Sequence, residues 1–222
     1  MRVFGTAMAV AGLAILGLTG GPSALASASR SATAATQQVV VSPVTPAGHA
    51  APGFVAKPTP GGPYPVECNY PSPSPAAVDP NIEFCSPSAA YAVACWNAAK
   101  PHSVLCMQNP TSHRLVRFRR KGAFAKTAPP AAKDTAPLLL ELRNGTKCDI
   151  RDGGAWGSSK SHPKWVGTYS CTHGVIWAPE NADHAGINES SSTWTVHVGP
   201  GNGRGKFHVR AVKLAYFVGT AG

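Results

Sequence analysis

The chain lacks the short motifs that name a reaction. CxxC and HExxH are absent, and His162, His173, His184, His197 and His208 stand without ligand spacing, so the sequence predicts no metal. GxSxG is absent too, and neither Asp183-His184 nor the serines around Ser190 suggest a catalytic triad. Gly199-Pro200-Gly201-Asn202-Gly203 has neither the Lys-Ser/Thr ending nor the following helix that phosphate cradling needs, and reads as a hairpin tip. No helical stripe is sustained beyond a few residues, no internal repeat is visible, and no segment after the N-terminus is apolar enough to span a membrane. No cofactor is expected. Acidic side chains are also few, ten Asp and Glu against twenty Lys and Arg, for a formal charge of +10. That balance favours polyanionic neighbours and is an argument about association rather than fold.

What is present begins with an export signal. Met1 and Arg2 precede an apolar stretch from Val3 to Leu18, followed by Gly20, Gly21, Pro22 and the small-residue sites Ala24-Leu25-Ala26 and Ala26-Ser27-Ala28. This predicts a cleaved signal peptide over residues 1–28. A permanent anchor needs about 20 strongly apolar residues, and this stretch is short and diluted by glycine, so no transmembrane anchor is expected after cleavage. Cleavage removes Arg2 and no acid, leaving 19 minus 10, or +9. Residues 29–80 are rich in Pro, Ala and Ser. Proline at that density removes backbone donors and fixes φ, which predicts a disordered, partly extended linker, either a stalk or a solvated leader. Residues 81–222 then form the domain, about 140 residues, enough for one hydrophobic core.

The apolar pattern of that domain is mostly of period two, broken by Gly, Pro, Asn and Asp. It predicts an all-β or β-dominated fold, a small antiparallel sandwich or barrel stapled by disulfides. Around Asn144-Gly145, a three-residue loop Arg143-Asn144-Gly145 with Gly145 in the left-handed position opposes Leu142 to Thr146, Leu140 to Cys148 and Leu138 to Ile150, with Glu141 across from Lys147. Later strands read as Thr168 to Ala178, Thr193 to Val198 and Phe207 to Val218. In the last, Phe207, Val209 and Ala211 point inward but Val212, Leu214, Tyr216 and Val218 follow the opposite parity, which predicts a bulge near Ala211 and Val212.

Six cysteines in an exported chain predict disulfides, with fifteen complete pairings open to them. Strand geometry ranks these. The hairpin around Ala99-Lys100-Pro101-His102 opposes Cys95 to Cys106, Cys148 and Cys171 lie on neighbouring predicted strands, and Cys68 is left to close on Cys85. The rival reading makes Cys171 and His173, two residues apart on one strand face, a nucleophile and its base. Full oxidation removes that thiol and leaves His173 as a half-buried histidine beside Tyr169, Val175 and Trp177.

One strand is distinctive. In His113 to Lys121, Val116 and Phe118 take one side and Leu115, Arg117, Arg119 and Lys121 the other, so that Arg117, Arg119 and Lys121 form a cationic stripe. It suits an anionic lipid or polymer of the envelope rather than nucleic acid. The alternative is a solvated edge strand whose charges block aggregation. Trp156, Trp165, Trp177 and Trp194 read either as core or as the lining of a groove for sugar or lipid.

Phe84-Cys85-Ser86-Pro87-Ser88 with Cys95 and Cys106 resembles the opening of small disulfide-bonded exported proteins of actinobacteria. Cys148-Asp149-Ile150-Arg151-Asp152-Gly153-Gly154-Ala155-Trp156, Gly167-Thr168-Tyr169-Ser170-Cys171, Trp194-Thr195-Val196 and the ending Ala215-Tyr216-Phe217-Val218-Gly219-Thr220-Ala221 resemble more specifically a mycobacterial-type group. The resemblance covers about residues 84 to 221 and implies export, disulfides and a β-rich domain. It transfers no catalytic residue. The sequence therefore reads as a secreted or cell-wall-associated, non-enzymatic binding domain for an anionic envelope component. The alternative is an envelope hydrolase or transferase built on His173, Asp152 or Asp183.

Overall fold

A computed structural model describes residues 34–58, 65–151 and 158–222. The expected signal peptide, Asp152 and Trp156 lie outside the described residues. The fold is β-dominated, as the period-two pattern requires, and its strands fall into two sheets.

The first sheet closes on itself. The strands Leu139–Leu142 (β7), Lys147–Ile150 (β8), Trp165–Cys171 (β9), Val175–Pro179 (β10), Thr195–Gly199 (β11) and His208–Val218 (β12) run antiparallel in sequence order, and β12 returns to β7, making a six-stranded barrel. The β7–β8 register is the expected one. Leu140 faces Cys148, Glu141 faces Lys147, and Gly145 (φ +83°) closes the loop by donating its N–H to the Leu142 carbonyl. Cross-strand partners share a face, so Leu140, Cys148, Ile150, Tyr169 and Ile176 all turn inward, joined by Trp194, Val196, Val212 and Phe217. Tyr169 is fully buried, and its hydroxyl donates to the Pro137 carbonyl at 2.8 Å.

Two strand readings are corrected. Thr168 to Ala178 is not one strand: it folds back at Thr172, His173 and Gly174 (φ +93°) into β9 and β10, so His173 is an exposed turn residue and not half-buried on a strand. In β12 the irregularity lies between Val212 and Leu214, slightly later than expected. Val212 and Val218 are buried as expected, but Val209 is 59% exposed, and Ala215 and Phe217 are buried where Leu214 and Tyr216 were expected.

The second sheet is built on Arg114–Lys121 (β6). Ser103–Met107 (β5) pairs with it antiparallel, followed by Ala94–Asn97 (β4), while Val55–Pro58 (β2) and Val66–Glu67 (β3) pair with β6 in parallel. Alternation gives this sheet two apolar faces. Ala94, Trp96, Leu105, Met107 and Leu115 join the barrel residues in the main core, while Cys95, Val104, Cys106 and Phe118 face a smaller cluster with Val66, Cys68, Cys85 and Ala92.

Three disulfides join Cys68 to Cys85, Cys95 to Cys106 and Cys148 to Cys171, the pairing expected from the sequence, and no cysteine is free. Such bonds point to an oxidising, extracellular-type environment. Among the described residues no helix is long and apolar enough to cross a membrane.

Of the linker expected over residues 29–80, residues 29–33 and 59–64 lie outside the described residues, and the remainder is corrected. Gln37–Val41 (β1) pairs in parallel with β12 from Gln37 opposite Leu214 to Val41 opposite Val218, and Val44 is fully buried. β2 and β3 belong to the same stretch, so residues 34–58 and 65–80 belong to the fold. Glu83 helps to hold them there. Its carboxylate is buried, and it accepts hydrogen bonds from the Ser72 N–H and the Thr127 hydroxyl.

Two outcomes follow for stability, both read by urea denaturation. A variant beginning at Thr45 loses β1 and buried Val44, and its unfolding free energy falls by at least about 2 kcal/mol; an unchanged midpoint would mean that β1 is only a leader. Glu83→Ala leaves two part-buried donors without their acceptor and costs roughly 1–3 kcal/mol, with Glu83→Gln costing less.

Candidate functional site

The cationic strand is internal. β6 has β5 on one side and β2 and β3 on the other, so its charges are not guarding an open edge. Arg117 is half-buried opposite Leu105, whereas Arg119 and Lys121 are exposed. Lys121 Nζ lies 2.9 Å from Glu67 Oε1 on the neighbouring β3, and that hydrogen bond and charge hold its ammonium above the usual lysine range. One member of the stripe is thus already engaged by an acid.

Of the catalytic candidates, His173 and Asp183 are set apart. Cys171 is in a disulfide. His173 sits at the turn before β10, and Asp183 lies in a short 3-10 turn, Asp183–Gly186, that follows its far end. The five residues of β10 between them span about 16 Å. Asp152, the third candidate, lies outside the described residues. No group of three His, Cys, Asp or Glu side chains among the described residues is placed to hold a metal.

The chemistry that does gather lies on the outer wall of the barrel. Residues 158–164, before β9, meet residues 200–207, between β11 and β12. The Ser159 hydroxyl and the Ser161 N–H both donate to the Gly203 carbonyl, at 3.0 and 3.1 Å, and the Gly205 N–H donates to the Ser161 hydroxyl at 3.0 Å. Beneath them the Trp177 indole N–H donates to the Pro200 carbonyl at 3.1 Å. Glycine is what allows so close an approach. A Cβ on Gly203 (φ +63°) would fall 2.7 Å from the Ser159 Cα and 3.0 Å from the Trp177 ring, and one on Gly199 would fall 2.2 Å from Phe207.

On this frame the rings stack outward from the core. Phe207 lies nearly parallel to buried Trp177, with centroids 5.8 Å apart and planes 8° apart, and His162 stacks on Phe207 at 4.7 Å. Trp165 leans on His162 and Phe207, and the exposed His197 ring meets Trp165 edge-on at 5.1 Å. Of the four tryptophans considered, Trp177 and Trp194 are core and Trp165 is half-buried in this wall.

Cations frame the stack. Lys160 and Lys164 flank His162, and Arg204 and Lys206 precede Phe207; all four are exposed. None of them forms an ion pair among the described residues, whose pairs are Lys121–Glu67, Lys213–Glu141 and the His184–Glu189 contact. Glu180 meets Lys164 through its backbone N–H alone. The motif survey missed this surface, although a signal was present. Lys160-Ser161-His162-Pro163-Lys164-Trp165 and Arg204-Gly205-Lys206-Phe207-His208 both interleave cations with rings, 40 residues apart in the chain.

No family model, curated protein or solved structure matches the chain.

Gly203→Ala tests how the wall is held together. The added methyl has no room against Ser159 and Trp177, and φ is positive, so the loop must move. The near-ultraviolet circular dichroism of the stacked rings is expected to weaken, with stability lowered by about 1–3 kcal/mol, while Gly145→Ala, whose Cβ meets nothing, leaves the ring signal intact.

Proposed function

We propose that this protein is an exported, non-enzymatic binding domain that holds an anionic polymer of the cell envelope against the outer wall of its barrel. The observation that carries the reading is the set of four exposed cations, Lys160, Lys164, Arg204 and Lys206, around a ring stack on two loops fixed to each other by hydrogen bonds. Because these cations have no acidic partners among the described residues, a polyanion meets them without first breaking an ion pair. Each contact releases a counterion, so affinity accumulates along a polymer and falls steeply with salt. The cations are spread over two loops, which suits a chain of charges better than one small anion. Three disulfides and the N-terminal signal pattern support export, and the separation of His173 from Asp183 supports a binding role. Arg117 and Arg119 on β6 offer a second basic region, with Lys121 partly neutralised by Glu67.

Retention on immobilised heparin, used as a generic anionic polymer, tests the assignment. Substituting Lys160, Lys164, Arg204 and Lys206 together by Ser is expected to reduce the slope of log affinity against log salt by about three. The Arg117→Ser, Arg119→Ser, Lys121→Ser triple variant is expected to keep most of that slope. Full retention by the wall variant, or an equal loss in the triple variant, would overturn the reading.

A further inference from the structure

A concavity of about 350 Å³ opens where the end of the five-stranded sheet meets the barrel. Tyr91, Gln108 and Asn109 come to it from the sheet side, and Asp149, Arg151 and Ser170 from β8 and β9. Its floor is apolar, formed by Val93, Leu138 and Ile150. The size is that of a small-molecule site, and the lining has the usual mixture of apolar surface with a few convergent polar groups.

The polar groups are held in place but not used up. Asp149 and Ser170 are direct cross-strand partners, each next to a half of the Cys148–Cys171 disulfide. Gln108 donates an amide N–H to the Ala90 carbonyl at 3.1 Å, and the Asn109 side-chain oxygen accepts from the Thr111 N–H and hydroxyl, both at 2.8 Å. This fixes both amides and leaves the Gln108 oxygen and the Asn109 N–H groups for other partners. The Asp149 backbone belongs to the β8 ladder, and its side chain is exposed. Burial of its inner side pushes its carboxyl above the ordinary aspartate range, only partly offset by the charge of Lys147. Tyr91 adds a further cost. Its backbone sits at φ +52°, a region that bulky residues rarely adopt, and its ring is 61% exposed at the mouth. The exposed Asp149 carboxylate and the exposed, strained Tyr91 line the same cleft.

We propose that this cleft binds a single uncharged pyranose residue of a glycan, with the sugar's C–H face on Tyr91 and its hydroxyls on Asp149, Ser170 and the two amides. A sugar hydroxyl donates and accepts at once, and the cleft offers an acceptor-only carboxylate beside amide donors. The carboxylate disfavours an anionic ligand, and the amide and hydroxyl groups beside it suit a neutral polyol. The barrel wall has the opposite chemistry, cations with no acid in an ion pair, so the two surfaces take different ligands. The cleft reading does not rest on the polyanion reading.

The test is amide chemical-shift titration of the intact, disulfide-bonded protein with the methyl glycosides of glucose, galactose, mannose and N-acetylglucosamine. At least one is expected to give saturable shifts around Tyr91, Asp149 and Ser170, with Kd on the order of 1 mM, as suits a ligand of this size. Asp149→Asn and Tyr91→Ala each weaken it at least about tenfold, and the four-cation wall variant binds normally. Asp149→Asn is a fair test because it should not harm folding. The folded carboxyl titrates above its unfolded value, so its ionised form opposes folding above that raised pKa, and the penalty disappears as pH falls below the unfolded one. The neutral amide removes the penalty at pH 7, so its melting temperature is equal to or above that of the parent. No saturable shift with any of the four glycosides, saturation at Trp165 and His162 instead, or unchanged affinity in Asp149→Asn would overturn the proposal.

Discussion

The barrel depends on a change of phase within one strand. β12 is eleven residues long and serves three neighbours: its first half pairs with β11, and its second half pairs with both β7 and β1. A strand that kept one phase past Val212 would turn Leu214 and Tyr216 inward and Ala215 and Phe217 outward. The shift between Val212 and Leu214 prevents this by setting Lys213 out of the ladder, where it meets Glu141 of β7 at 2.8 Å. Val212 faces inward before the shift, and Ala215 and Phe217 after it. An exposed pair of this kind adds little stability. Its value is that a one-residue slip would break it together with the inward row.

What was legible in the sequence was local. The Leu142 to Thr146 loop fixes its own register, because the other register mixes charged and apolar residues on both faces, and that register places Cys148 opposite Leu140. The Cys95–Cys106 bond follows from a single hairpin in the same way. The β9–β10 fold-back was missed because Thr172, His173 and Gly174 interrupt an apolar run too briefly to stand out. The barrel wall left only a weak trace in the sequence, two segments that interleave cations with rings, and the cleft left none. Lys160 and Arg204, or Tyr91 and Asp149, become neighbours only once the two sheets and their loops are placed.

The proline-rich stretch fails as a linker for a reason that average composition hides. Its strands occupy the gaps between prolines: Gln37–Val41 precedes Pro43, Val55–Pro58 follows Pro52 and ends on a proline, and Val66–Glu67 follows Pro65. Proline forbids a ladder only where its missing N–H is needed, and short parallel strands laid along the outside of β12 and β6 need few donors. The same segment carries Cys68, so one disulfide anchors it to Cys85 in the smaller core.

The three disulfides are consecutive along the chain, first with second, third with fourth, and fifth with sixth, at separations of 17, 11 and 23 residues. None encloses or crosses another. A chain that emerges N-terminus first into an oxidising compartment meets each correct partner before the next cysteine arrives, so the order of emergence by itself selects the native set. Such a protein has little need of disulfide reshuffling. The two β layers are joined by the backbone but by no disulfide, and what holds them together is the apolar core they share.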